Sequence, residues 1–367
     1  MQILFLNSLA KKKWGGGEKW MIMAASGLER RGHGIVVGCA DKSVISKKAQ
    51  ALNLTTVPVS FKTDFDVPGF IRLLFALKKY HFDIIICGQN KDTKIASIAV
   101  RLVGGAKVIA RHGLQLIRKK FKYHFFFTRM IDGIITNSAS IKKEYESYGW
   151  FHPGFVKVIY NGFTAPAGVA SFDFRTQFDL PGDALVMFSA GRLASQKGFE
   201  VLIDAAEEGH KKGYNWYFFI AGKGKLRDEL ENRVKSKGLQ SRVRFLGFVE
   251  DVLPYVKGAD IFVLPSFYEG MPNAVMEAMG LGKCCVVTAV NGSVELIEDG
   301  LDGILVEPRS STALFNGLER VSRDRQVRES MGEAAAAKIR SSFSEEEMID
   351  NFESYLIDKL EKTDSIN

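Results

Sequence analysis

The chain has 367 residues, of which 46% are hydrophobic and 25% charged, and a formal net charge of +8. That length is comfortable for two domains and long for one, and the composition is ordinary for a soluble globular protein. No apolar run reaches the roughly 20 residues of a membrane-spanning helix, and Lys11 to Lys13 follow the apolar start Met1–Leu6, the reverse of a secretory signal, so a cytoplasmic chain is expected.

The elements alternate along the chain. Residues 2–7 read as a first strand, Trp14-Gly15-Gly16-Gly17 as a Gly-rich turn, and 18–31 as a helix with 3.6-residue periodicity. Strands are expected at 35–39, 54–59, 83–87, 106–110, 132–136 and 155–159, with helices between them. The pattern restarts at strand 185–190. Helix 198–212, strand 216–221, helix 225–237 and strands 242–246 and 259–264 follow, then helix 272–281 and strand 283–288. Such alternation implies parallel sheets. Residues 162–182 hold Pro166, Gly168 and Pro181 with few regular signals, so the linker is expected there. Ser344 and Glu347 have capping-box spacing and open a last helix over about 345–360.

Charge divides the chain in the same place. Residues 1–170 hold 26 Lys+Arg against 10 Asp+Glu, and the rest holds 24 against 32. A basic half favours nucleic acid, an anionic membrane or a phosphorylated substrate. The four cysteines, Cys39, Cys87, Cys284 and Cys285, have no metal-ligand spacing and read as reduced core thiols.

The most informative stretch runs from Glu269 to Glu277, with Gly270, Met271, Pro272, Asn273 and Ala274 among the residues between the two carboxylates. It joins an apolar strand to a helix. Pro272 suits the first helical position, where a missing N–H has no cost. Glu269 then belongs to the loop at the strand's carboxyl end and Glu277 to the second helical turn. A helix N-terminus lies between them, favourable to an anion. In open α/β sheets that edge binds ligands. Two carboxylates for the hydroxyls of two sugar rings, with a phosphate seat between, fit a nucleotide-sugar.

The Glu269–Glu277 pair resembles the paired-glutamate motif of the retaining glycosyltransferases of family 4. Gly191-Arg192-Leu193-Ala194-Ser195-Gln196-Lys197-Gly198 looks like that family's second-domain opening. Ala221-Gly222-Lys223-Gly224, Phe245-Leu246-Gly247-Phe248-Val249 and Tyr160-Asn161-Gly162 are further matches, in the family's order. The resemblance implies an α/β fold of GT-B architecture: two facing Rossmann-like domains with an active-site cleft between them. The N-terminal acceptor domain would span 1–165 and the donor domain 175–340, with the last helix packing back on the first. It also implies a retaining, metal-independent sugar transfer from a nucleotide-sugar, UDP- or GDP-linked, to a glycan or lipid-linked acceptor in surface-polysaccharide assembly. No cofactor is implied. A catalytically silent nucleotide-sugar-binding subunit, or a phosphorylase or epimerase on the same architecture, is the alternative.

Each residue then has an expected role. A departing nucleoside diphosphate gains negative charge, and stabilising it is the largest contribution an enzyme makes to such a step. Arg192 and Lys197, at the end of the second domain's first strand, supply two cations. In the family, the loop with Gly16 and Gly17 approaches the diphosphate and the acceptor. Gly222, Phe248, Val249, Gly270, Met271, Asn273 and Ala274 are expected to line the donor. Glu269 is expected to grip sugar hydroxyls and Glu277 the ribose. His112, after strand 106–110, is expected to position hydroxyls or relay a proton, because an unperturbed imidazole titrates near working pH. The family mechanism assigns no protein nucleophile.

Residues 117–127 mix Arg118, Lys119, Lys120 and Lys122 with five aromatics. At helical spacing Ile117, Phe121, Phe125 and Thr128 share a face that reads as core. Tyr123, Phe126 and Phe127 are left to place. Both a core helix and an interfacial surface for anionic lipid stay open here, which makes peripheral association with a membrane an expectation alongside the cytoplasmic one. No nucleic-acid-binding motif appears, and nucleic acid is not expected as a partner.

Overall fold

The computed structural model describes residues 1–8 and 14–364, without the side chains of Lys122 and 362–364. Lys11, Lys12 and Lys13 lie outside the described residues. The chain forms two compact units, Phe163–Ser344 and Met1–Gly162, the latter together with the closing helix Glu345–Asp364.

Unit 1 is built on seven parallel strands: β1 (Gln2–Asn7), β2 (Gly34–Cys39), β3 (Thr55–Val57), β4 (Ile84–Cys87), β5 (Lys107–His112), β6 (Gly133–Thr136) and β7 (Val156–Val158). Their spatial order is β3-β2-β1-β4-β5-β6-β7. Unit 2 has six: β8 (Leu185–Ala190), β9 (Trp216–Ala221), β10 (Val243–Gly247), β11 (Ile261–Leu264), β12 (Cys284–Thr288) and β13 (Ile304–Val306), ordered β10-β9-β8-β11-β12-β13. Strands such as Ile84–Cys87 and Ile261–Leu264 are buried along their whole length, as continuous apolar runs in sheets covered on both faces are. In each unit the order reverses beside the first strand, between β1 and β4 and between β8 and β11. Open α/β sheets bind ligands at such a switch point, at the carboxyl ends of the strands.

Helices cover both faces of unit 1's sheet. Gly16–Arg30, Val44–Ala51 and the closing helix share one core, in which Phe352 is fully buried 5.3 Å from the Trp20 ring and 6.1 Å from Phe5. Burying such a side chain contributes about 1.5–3 kcal/mol. Glu353 on the closing helix meets Arg31 at 2.7 Å and His33 at 2.6 Å, which fixes the helix against the end of Gly16–Arg30. The opposite core takes Val67–Tyr80, Asn90–Val103, Phe121–Arg129 and Ala139–Ser147. All four cysteines are buried free thiols.

Two local expectations are corrected. The helix after β5 begins only at Phe121, so Ile117 precedes it, and Phe121 and Phe125 are exposed. Phe127 fills the core, with Tyr123 and Phe126 packed beside it. Pro272 is not the first helical residue. Its extended backbone caps the helix Asn273–Gly280 from outside. Strand β13 went unforeseen, since three residues carry little periodicity.

Candidate functional site

The carboxyl edge of unit 2's sheet gathers most of the expected donor residues. Strand β8 ends at Ala190, and Gly191 to Ala194 lead into a single 3₁₀ turn, Ser195–Lys197. Gly198 follows with φ +62°, and a Cβ there would lie 2.1 Å from the Pro265 carbonyl oxygen. Only glycine meets both demands. The turn is thereby pressed against the end of β11, and the Phe267 amide donates to the Gln196 carbonyl at 2.8 Å.

That approach brings Lys197 onto Glu269. Lys197 Nζ lies 2.5 Å from Glu269 Oε1, and both side chains are largely buried, at 18% and 9% exposure. Ser266 Oγ donates to the same carboxylate oxygen at 2.6 Å. A buried carboxylate needs this compensation. Arg192 stands apart and exposed, its guanidinium 3.4 Å from Gln196 Oε1. Gln196 Nε2 in turn donates to the Tyr268 carbonyl at 2.7 Å, which holds the loop carrying Glu269.

Met271 is buried, and Asn273 opens the helix Asn273–Gly280 with Ala274 beside it. The first amides of a helix have no partner within it. Gly270 passes beneath Gly292, where a Cβ would sit 1.9 Å from the Gly270 oxygen. Glu277 is 8% exposed, in the second turn of that helix. At the end of β9, Gly222 runs so near Gly191 that a Cβ would lie 1.8 Å from its carbonyl oxygen. Phe248, just past β10, exposes its ring, with Lys223 Nζ 4.6 Å from the ring centroid; Val249 next to it is half-buried. The edge of unit 2 thus presents cations, a carboxylate pair, a helix N-terminus and an open aromatic face.

Unit 1 holds the others. Gly15 caps the helix Gly16–Arg30 in extended conformation, so Gly16 and Gly17 are its first two residues. Behind them lies a charged cluster that sequence reasoning missed. The Arg111 guanidinium carbon sits 4.4 Å from the Trp20 ring centroid, and Arg111 Nη2 donates to Asn161 Oδ1 at 2.9 Å. Burial lowers the Arg111 pKa to about 10, with the Glu18 charge opposing the shift. Glu18, itself buried, accepts from Asn7 Nδ2 at 3.4 Å. The signal available was the pair Arg111-His112 ending an apolar run.

His112 is the last residue of β5 rather than the residue after it, and it is fully buried. Its Nδ1 lies 3.0 Å from the Tyr145 hydroxyl, which accepts the amides of Leu116 at 2.9 Å and Ile117 at 3.3 Å. Whether Nδ1 or the hydroxyl donates depends on the imidazole tautomer. Nε2 has no hydrogen-bond partner among the described residues. Burial, and then the Arg111 charge, lower the His112 pKa to about 3. The expected pKa near working pH is therefore corrected: the ring is neutral and suits hydrogen-bond positioning. A second missed group is Asp92, fully buried, which accepts the Ser8 amide at 2.8 Å and is pushed up to about 6 by burial.

Comparison with known proteins agrees with this geometry. Residues 14–165 match the family model described as Glycosyltransferase Family 4, and residues 171–338 the model described as Glycosyl transferases group 1. The lipopolysaccharide core biosynthesis glycosyltransferase LpsE of Rhizobium meliloti is 30% identical over 64% of this chain. The chain spans 66% of that relative's length. The Campylobacter jejuni GalNAc-alpha-(1->4)-GalNAc-alpha-(1->3)-diNAcBac-PP-undecaprenol alpha-1,4-N-acetyl-D-galactosaminyltransferase is 32% identical over 71% of each chain. Among solved structures, Anabaena HepE in complex with UDP and glucose superposes with a TM-score of 0.85 at 22% identity, over 98% of this chain and all of that one. That likeness establishes the α/β fold of two Rossmann-like domains, GT-B.

Proposed function

The chain belongs to family 4 of the glycosyltransferases, and from that premise we propose that it transfers a sugar from a nucleoside-diphosphate sugar to a glycan or lipid-linked acceptor, with retention of configuration and without a metal. The bond from the anomeric carbon to the diphosphate oxygen breaks, a bond to the acceptor oxygen forms, and the acceptor's proton passes to the departing diphosphate. In this reading Arg192 and Lys197 stabilise the charge that grows on the leaving group. Glu269 holds hydroxyls of the transferred sugar, Glu277 those of the ribose, and the N-terminus of Asn273–Gly280 meets a phosphate. Phe248 offers its exposed face to the base. His112, a neutral ring at the end of β5, positions hydroxyls from unit 1.

The observation that carries the reading is the Lys197–Glu269–Ser266 cluster, set at the carboxyl ends of β8 and β11 and followed eight residues later by Glu277. A lipid-linked glycan acceptor draws support from the printed name of the Campylobacter relative and from the basic composition of residues 1–170. Among the described residues no helix is long and apolar enough to cross a membrane. On this reading the protein works in the cytoplasm and meets such an acceptor from the membrane surface. Donor hydrolysis across a panel of nucleotide-sugars, in excess chelator, followed by NMR of the released anomer, tests the proposal. Inverted product, or turnover that appears only on adding a divalent ion, refutes its stereochemical or its metal clause.

A further inference from the structure

We propose that the outer face of three helices in unit 1, Val67–Tyr80, Asn90–Val103 and Phe121–Arg129, docks on an anionic lipid bilayer. The inference rests on the lipid-linked branch of the function proposed above and names the surface that would serve it.

The three helices lie side by side on one face of the sheet, since all three bury their inner sides in the same core. Their outer sides are apolar where a solvated layer would be polar. On the first helix Val67, Ile71 and Phe75 recur at four-residue spacing and are all exposed, Phe75 by 69%. Phe65, just before it, is 92% exposed. On the second helix Ile98, Leu102 and Val103 are exposed, Leu102 by 70%. On the third, Phe121 and Phe125 are exposed at 84% and 62%. Single exposed apolar residues need no explanation, but a set of this size on three helices packed on one core marks an interaction surface.

The second and third helices are tied together by Arg101, whose guanidinium donates to the Arg129 carbonyl. Between them opens a cleft of about 550 Å³, lined by Arg101, Phe121, His124, Phe125 and Arg129 among others. Aromatic walls with arginines at the rim suit a lipid phosphate and the first methylenes below it.

Charge decides what covers the face. Exposed cations surround it: Arg72, Lys78 and Lys79 on the first helix, Arg101 on the second, and Lys119, Lys120 and Arg129 at the third. Among the described side chains from 62 to 129 the one exposed acid is Asp64, which is paired with Lys94 at 2.9 Å. An isologous contact with a second copy of the chain would set these cations against themselves. An anionic bilayer complements both features, taking the aromatics into the headgroup layer and attracting the cations. On the third helix the apolar members are Phe121 and Phe125, not the buried Phe127.

The test is co-sedimentation of the full chain with vesicles of phosphatidylglycerol and phosphatidylcholine, against phosphatidylcholine alone, at low and high salt. An apolar variant carries Phe75→Ser, Leu102→Ser, Phe121→Ser and Phe125→Ser. A charge variant carries Arg101→Ser, Lys119→Ser, Lys120→Ser and Arg129→Ser. The wild type should bind the anionic vesicles selectively and release at high salt. Each variant should lose binding by on the order of tenfold or more, with thermal midpoint and nucleoside-diphosphate binding unchanged. Failure of the wild type to bind anionic vesicles at low salt overturns the inference, as does an apolar variant that binds like wild type. A concentration-dependent dimer dissolved by the apolar variant would assign the face to a second copy instead. Donor hydrolysis in vesicle-free solution reports on the proposed activity separately, so the two readings fail independently.

Discussion

Lys197 and Glu269, 72 residues apart in sequence, are joined by a 2.5 Å ion pair at the edge of unit 2's sheet. The pair changes how both residues act. A lysine already neutralised by a carboxylate offers less charge to a bound diphosphate than a free one. On the function proposed above, its full effect is realised when negative charge grows on the leaving group and competes with Glu269 for the ammonium. That difference between ground and transition state is what accelerates a reaction.

Removing one partner of the pair should therefore cost stability as well as turnover. Lys197→Ala strands a largely buried carboxylate held by Ser266, and breaking a buried pair costs about 3–5 kcal/mol. Lys197→Ala with Glu269→Gln should regain most of that stability and none of the activity. Arg192→Ala, at an exposed position, should leave stability within about 0.5 kcal/mol and lower turnover on the order of 10²-fold. Urea denaturation alongside steady-state kinetics measures all three. Equal stability loss in Lys197→Ala and the double variant would contradict the pairing.

The two glutamates should separate by ligand. Glu277→Gln loses charge-assisted bonds to ribose hydroxyls, worth roughly 1.5–3 kcal/mol, and should weaken the free nucleoside diphosphate. Glu269→Gln should weaken the intact donor. It also frees Lys197, so free diphosphate should bind as well as in wild type or better. Calorimetry with both ligands on both variants decides, and equal losses of diphosphate affinity would rule out the division of roles.

Much of this was legible in the sequence, for physical reasons that differ by element. Strands such as Gln2–Asn7 and Leu185–Ala190 are continuous apolar runs ended by glycine or polar residues, and their bounds follow from that pattern. Motif residues at strand ends, Arg192 and Lys197 among them, were placed by the same logic. What was hidden depends on contacts distant in sequence. The Lys197–Glu269 pair, the Arg111–Asn161 bond and the burial of His112 are set by how loops stack at a sheet edge, which periodicity does not encode. The segment 117–128 misled because its helix starts at Phe121. Ile117 is buried but lies outside that helix, so it does not mark the helix's core face, which Phe127 sets instead.

Gly222 is a position where a single methyl should weaken donor binding. A Cβ there would stand 1.8 Å from the Gly191 carbonyl oxygen, and backbone cannot yield as a flexible side chain does. The Gly222 amide also donates to the Gly247 carbonyl at 2.6 Å, so the ends of β8, β9 and β10 would shift together. Gly222→Ala should cost on the order of 1–3 kcal/mol by the strain it imposes, and should weaken nucleoside-diphosphate binding more than Gly182→Ala, at a glycine with open space around it. Denaturation midpoints and calorimetry on the two variants check the contrast.

Two buried groups in unit 1 should give stability opposite dependences on pH. His112 is lowered to about 3 by burial, so between about 6.5 and 3 the unfolded chain carries a proton on it that the folded chain does not. More protons bound in the unfolded state means that stability falls as pH falls through that window, by up to about 1.4 kcal/mol per unit for this group. Asp92 is raised to about 6, so between about 4 and 6 the folded chain holds the extra proton. Its contribution is present below the unfolded pKa and is lost as pH rises through the folded one. At pH 7 the Asp92 charge is a burden. Asp92→Asn, which keeps an oxygen to accept the Ser8 amide, should stabilise the protein there on the order of 1–3 kcal/mol, and the gain should shrink towards zero near pH 4. His112→Gln should flatten the acid side of the stability curve instead. The same shift predicts that kcat/KM shows no acid limb near pH 6.5 belonging to His112. Urea titrations of wild type and both variants from pH 4 to 8 measure the slopes. A gain from Asp92→Asn that stays constant from pH 8 down to 4 would show that Asp92 titrates at the ordinary carboxylate pKa in the folded chain, and would remove the burial argument for it.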